Sequence, residues 1–185
     1  ANAPNYFNSM RVKGNKIVMS ASGGDPNISV IASWDTSGTF LWSAGVQGRG
    51  ARDVEIDDAG NMYLLTGYFN QVTATSQMDV EMFKFDASGT QLWKKDFDFG
   101  GSDFPTRFIY ASGKLSVIGE SQGGNDWITF QVDTEGAMLW NTIYNGTSSN
   151  VEAPYFIAAK SSGEVFVTGK GGPDRIPKSL HYHID

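Results

Sequence analysis

Short runs of alternating apolar and polar residues recur along the chain, each ending at an aspartate. Counting back one, three and five positions from Asp86 gives Phe85, Phe83 and Glu81. The same count gives Val132, Phe130 and Ile128 before Asp133, and Trp34, Ala32 and Val30 before Asp35. Eight of these nine are apolar, and a period of two predicts a β-strand with one buried face. Each run leads into Asp-x-x-Gly-x-x-Leu-Trp, at Asp35, Gly38 and Trp42, at Asp86, Gly89 and Trp93, and at Asp133, Gly136 and Trp140. The copies lie 51 residues apart (86 − 35) and then 47 (133 − 86), a period that belongs to repeat architectures.

Upstream of each run a second pattern recurs. Residues 60–67, 113–119 and 163–169 open at a turn glycine, pass through mainly apolar residues and close at a second glycine; residues 14–21 are a weaker copy that closes at Ala21. Still earlier lie short strand-like segments at residues 8–12, 53–56, 107–110 and 156–159. The unit is therefore four strands, A to D, with the Leu-Trp pair on D. Four antiparallel strands in about 50 residues make one blade of a β-propeller. The expected fold is all-β: a single propeller domain or segment over residues 1–185, with about four blades near 1–46, 47–98, 99–145 and 146–185. In the fourth unit Leu180, Tyr182 and Ile184 continue the alternation and Asp185 falls on the motif aspartate, so no D strand follows. An unpaired edge at 180–184 invites strand pairing. Three completions fit: a larger ring of six to eight blades, a ring closed by self-association, or a small four-blade ring with a degenerate last blade. A chain opening on Ala1 without a signal segment reads as a processed protein or a fragment.

Within the motif, the Asp carboxylate is placed to accept N–H groups of the C–D turn, and the glycine to take positive φ in a three-residue hairpin with a bulge. Adjacent Leu and Trp point to opposite blade faces, which assigns one to the layer with the preceding blade and the other to the layer with the following one. Gly-Asn-x-Tyr-x-x-Thr-Gly at 60–67, the alternating strand, and Asp-x-x-Gly-x-x-Leu-Trp together resemble the SBBP-type bacterial β-propeller repeats, and residues 51–93 match best. The resemblance covers nearly the whole chain and implies a secreted or cell-surface bacterial protein, without specifying an activity. Sialidase Asp boxes place glycine two residues after Asp, whereas here it follows by three. Quinone-dependent propellers need cofactor and metal ligands that this sequence does not offer.

Composition narrows the function. With 20 acidic and 14 basic residues the net charge is −6, and such a surface repels nucleic acid. There is no cysteine, which excludes disulfides and thiol chemistry. No apolar stretch approaches the roughly 20 residues that span a membrane, so no membrane insertion is expected. No phosphate loop, zinc-protease helix or nucleophile elbow occurs.

The candidate chemistry is sparse. His181 and His183 share one strand face, as in some metal sites, but lie opposite the apolar row and read as solvent-facing. Asp53, Asp57 and Asp58 form one acidic group, and Asp96, Asp98 and Asp103 another in a Gly-rich loop. Turn capping explains both, and Ca²⁺ is the cation they would suit; no other cofactor is expected. Propeller ligands meet the face made by the D–A and B–C loops, here residues 43–52, 68–79, 97–106, 120–126, 144–153 and 170–178. These carry Arg49, Arg52, Tyr68, Asn70, Asp103, Glu120 and Asp126, groups that suit sugars or peptides. The expectation is a non-catalytic extracellular binding or adhesion module with a glycan or protein ligand. The alternatives are a glycan-active hydrolase or lyase using loop carboxylates, and a structural spacer in a large surface protein.

Overall fold

A computed structural model describes residues 6–23, 28–47, 49–70, 77–121, 126–145, 152–171 and 176–182. Those residues form fifteen strands and no helix. Blade 1 comprises β1 (Tyr6–Lys13), β2 (Lys16–Ser22), β3 (Ile28–Asp35) and β4 (Phe40–Gln47). Blade 2 comprises β5 (Arg49–Ile56), β6 (Met62–Asn70), β7 (Gln77–Phe85) and β8 (Gln91–Phe97), and blade 3 β9 (Phe104–Ala111), β10 (Lys114–Ser121), β11 (Asp126–Asp133) and β12 (Met138–Tyr144). Blade 4 has three strands, β13 (Ala153–Ala159), β14 (Val165–Gly171) and β15 (Ile176–Tyr182). Every blade is an antiparallel meander in sequence order, as the sequence predicts, and the fourth lacks its outer strand among the described residues. His183, Ile184 and Asp185 lie outside them.

The first strands of successive blades pack on one another, β1 on β5, β5 on β9 and β9 on β13. This places the A strands innermost and the D strands at the rim, the radial order of a propeller-like fold. Three apolar layers separate the blades. Val18, Ile31, Val54, Leu64 and Phe85 fill the first, with Trp42 packed on it. Tyr63, Leu65, Phe108, Val117 and Phe130 fill the second, and Ile118, Trp127, Val165 and Val167 the third. A strand between two such layers is buried on both faces. β7 and β11 accordingly lose the one-sided alternation expected of them: after Gln77 every residue of β7 is buried, and so is all of β11 before Asp133.

Near the axis the joint between blades is polar. Ser9 Oγ donates to Asp53 Oδ1 at 2.5 Å, Arg11 Nε to Glu55 Oε1 at 2.8 Å and Arg11 Nη2 to Asp53 Oδ2 at 3.2 Å. The Phe108 N–H from blade 3 also donates to Asp53 Oδ2, at 3.2 Å. Asp53 thus ties three blades together. Lys13 pairs with Asp58 at 2.6 Å, and the Tyr110 hydroxyl donates to Asp58 at 3.1 Å. The acidic group Asp53, Asp57 and Asp58 is therefore dispersed over separate structural contacts, since Asp57 accepts from Asn61 N and Tyr63 Oη.

At the C–D turns the motif aspartates cap as expected. Asp35 Oδ1 accepts the N–H groups of Ser37 and Thr39, each at 2.9 Å; Asp86 Oδ1 accepts those of Ser88 and Thr90, and Asp133 Oδ1 those of Glu135 and Ala137. Gly38, Gly89 and Gly136 take φ of 89°, 90° and 77°, beside a register shift in each blade. Trp42 Nε1 donates to Ala87 O, and a Cβ on Gly89 would meet the Trp42 ring at 2.5 Å. Trp93 Nε1 likewise donates to Thr134 O. Trp42 and Trp93 therefore dock on the next blade's turn, whereas Trp140 Nε1 donates to Gln131 Oε1 of its own blade and its ring packs on Tyr182. The Leu neighbour of each motif tryptophan does not fill the opposite layer: Leu41, Leu92 and Leu139 are 45%, 50% and 46% exposed. They sit on rim strands whose far face meets no other blade.

Candidate functional site

In an antiparallel blade the A–B and C–D turns fall at one end and the B–C and D–A connections at the other. The first may be termed the hairpin end and the second the loop end. At the loop end each A strand carries a register shift that leaves a residue without a partner: Asn8 in β1, Thr106 in β9 and Tyr155 in β13, while β5 has two shifts that skip Gly50 and Arg52. A bulge of this kind re-aims a side chain out of the ladder. Asn8, Arg52 and Tyr155 are exposed.

The closing glycine of strand B makes this geometry fit. A Cβ on Gly119 would meet Phe104 O at 2.5 Å, and one on Gly169 would meet Ala153 O at 2.1 Å and Trp127 Cζ2 at 2.8 Å. The bulged A strand crosses too close for any side chain there. The next residue in sequence then stands beside the bulge: Ser22 after Ala21, Tyr68 after Gly67, Glu120 after Gly119 and Lys170 after Gly169. Asn8 Nδ2 donates to Ser22 Oγ at 2.8 Å, which joins the two positions in blade 1. Glu120 is half-buried, and burial raises its pKa while Lys170 and Arg52 pull it down. Trp127 Nε1 anchors the Lys170 carbonyl at 3.0 Å. Blades 2, 3 and 4 thereby bring an arginine, a carboxylate and a lysine together.

Several expectations change here. Strand pairing continues past the apolar alternation, so Arg49 and Arg52 lie on β5, Tyr68 and Asn70 on β6, Glu120 on β10 and Asp126 on β11; of the seven candidates only Asp103 lies in a connection. The side chains of Arg49, Tyr68 and Asn70 lie outside the described residues. Asp126 is 5% exposed, and burial first and the neighbouring Glu152 second raise its pKa. Asp103 is fully buried rather than part of a solvated rim. Asp96 leaves the second acidic group, since it pairs with Lys94 at 3.3 Å, and Asp79 of β7 takes its place. His181 Nε2 lies 3.0 Å from Glu164 Oε1 and its ring stacks on Phe166. Lys170, Glu152 and Asp79 escaped the sequence reading. Lys170 had a signal, because it follows its glycine as Glu120 follows Gly119.

No protein-family model matches the chain, and no curated protein matches it. Among solved structures it is similar to a protein of unknown function from Bacteroides caccae, with 15% identity over 94% of this chain and a TM-score of 0.58. It is also similar to a protein from Lactobacillus plantarum, with 10% identity over 94% of this chain, 70% of that one and a TM-score of 0.46. The chain spans 60% of the length of the Bacteroides protein. The first likeness supports the fold alone.

Proposed function

We propose that the chain is a non-catalytic binding module of a bacterial surface or secreted protein, and that its loop end takes a carbohydrate. The observation that carries this reading is the repeated pairing of a bulge residue with a post-glycine residue. The scaffold holds these two positions in each blade while their identities vary: Asn and Ser, Gly and Tyr, Thr and Glu, Tyr and Lys, with Arg52 added in blade 2 by a second shift. A rigid frame presenting varied hydrogen-bonding and planar groups is what recognition of a polyol asks for. The compartment rests on the resemblance to SBBP-type repeats.

A glycan array run with a turnover assay on the same glycans tests the proposal. Binding without turnover is expected, with Arg52→Ala and Glu120→Gln each weakening it by about tenfold to a hundredfold, the range for a lost hydrogen bond to a charged group. Turnover that falls by about a thousandfold or more in Glu120→Gln would make the protein a glycan-active enzyme. A chain with neither binding nor turnover would be a spacer.

A further inference from the structure

A second loop-end feature lies between blades 2 and 3. Asp79 lies near the start of β7, Asp98 follows β8 and Asp103 precedes β9, and one carboxylate oxygen of each lies within 4.8 Å of the other two. Oxygens that share a Ca²⁺ ion at about 2.4 Å are at most about 5 Å apart, so one ion can touch all three. The connection is held in this shape by its own backbone. Asp98 Oδ1 accepts Gly100 N at 2.8 Å and Asp103 Oδ2 accepts Phe99 N at 2.7 Å, while Asp103 N reaches Met78 O at 2.5 Å.

A separate observation points to a ligand. Asp103 and Ser121 are both 0% exposed. Burial raises the Asp103 carboxyl, while Ser121, at the end of β10, lies beside it and pulls the other way, yet neither Ser121 Oγ nor Asp103 Oδ1 meets a partner in good hydrogen-bond geometry. A buried carboxylate with an oxygen short of a well-formed hydrogen bond, beside two further carboxylates, is costly unless a positive charge joins it. A hydroxyl and three carboxylates are hard oxygen ligands. Their spread suits the larger, flexible shell of Ca²⁺ better than the tight octahedron of Mg²⁺.

We infer that Asp79, Asp98 and Asp103, with Ser121 beside them, form a Ca²⁺ site that clamps the β8–β9 connection onto β7. The inference does not depend on the carbohydrate reading. Isothermal titration of the metal-free chain with CaCl₂, and with MgCl₂ for comparison, tests it together with thermal melts in each salt. Ca²⁺ is expected to bind with Kd of about 10⁻⁴ to 10⁻³ M, the range of extracellular modules. It should raise Tm by about 5 °C or more at a hundredfold excess over Kd. Mg²⁺ should do neither. Asp98→Asn is the safe variant, because Asp98 is exposed and Asn still accepts the Gly100 N–H; it should weaken Ca²⁺ at least tenfold with an unchanged metal-free melt. Asp103→Asn should abolish binding. Absence of heat and of any Tm shift at 10 mM CaCl₂ (roughly ten times the weakest Kd expected) would overturn the site and leave a proton shared among the carboxylates as its explanation. Unaltered Ca²⁺ binding by Asp98→Asn would place any bound ion elsewhere and overturn it equally.

Discussion

At the hairpin end, hydrogen bonds from Ser37 and Ser88 and from the Thr39 and Thr90 N–H groups hold Asp35 and Asp86 below the usual carboxylate range. Lys160, Ser162 and His181 bring Glu164 down to about 2. At the loop end, burial raises Asp103, Glu120 and Asp126 instead. The residue type is the same and the direction opposite. A tight turn supplies several donors within four residues of its aspartate and leaves it in water. A connection that crosses between blades removes water and supplies fewer donors. The hairpin end is thus built for stability, and the loop end carries the groups that are free to do something else.

Glycine distinguishes the two ends most sharply. Gly169 meets backbone atoms and the Trp127 ring, whereas a Cβ on Gly38 would meet nothing within 4 Å. Gly169→Ala should therefore cost about 3 kcal/mol or more, because backbone and a packed ring must both move. Gly38→Ala should cost only about 1 to 2 kcal/mol, the strain of φ 89° on a side-chain residue. Urea denaturation of both variants checks this. Equal losses would mean that the loop-end bulge is as pliable as an open turn.

That glycine also marks where the sequence stopped being legible. The four-strand blade pattern and the capping turns were readable because each depends on residues close together within one unit. The closing glycine was visible as a pattern, but its reason was not: Gly169 is small because the bulged β13 brings Ala153 and Pro154 across it and blade 3 brings the Trp127 ring. The bulges that free Arg52 and Tyr155 are likewise properties of pairing. Asp79 was passed over because the sequence reads it as the end of the 68–79 loop, whereas pairing extends β7 back to Gln77, and Leu92 was misplaced because sequence alone does not reveal which rim face meets a neighbour.

Glu55 tests whether burial governs carboxylates away from the turns. It lies next to the end of β5, 8% exposed. Burial raises its pKa to about 7, with Arg11 the main opposing influence. A raised folded pKa favours the protonated form, so its stabilisation is complete below about 4.5 and is lost as pH rises through 7. Between pH 5 and 7 this one group should remove about 2 kcal/mol of stability, from the linkage slope of about 1.4 kcal/mol per pH unit. Glu55→Gln should flatten that interval in denaturant midpoints taken across pH. An unchanged slope would mean that Arg11 keeps Glu55 ionised, as donors keep the turn aspartates.

The smallest effect expected is at a single cap. Asp86 Oδ1 accepts Ser88 N, Ser88 Oγ and Thr90 N at 2.8, 2.7 and 2.9 Å. Asp86→Ala leaves those donors to water, which reaches this exposed turn, so the loss should be the smallest of those considered. Asp86→Asn keeps an accepting oxygen and should recover most of it. As pH falls below the ordinary carboxylate range, Asp86→Ala should lose stability less steeply than the wild type, whose lowered Asp86 carboxylate must also protonate. Equal slopes in the two proteins would show that the turn is held by Gly89 and Trp42 packing rather than by its carboxylate, and the contrast between the two ends would then rest on shape alone.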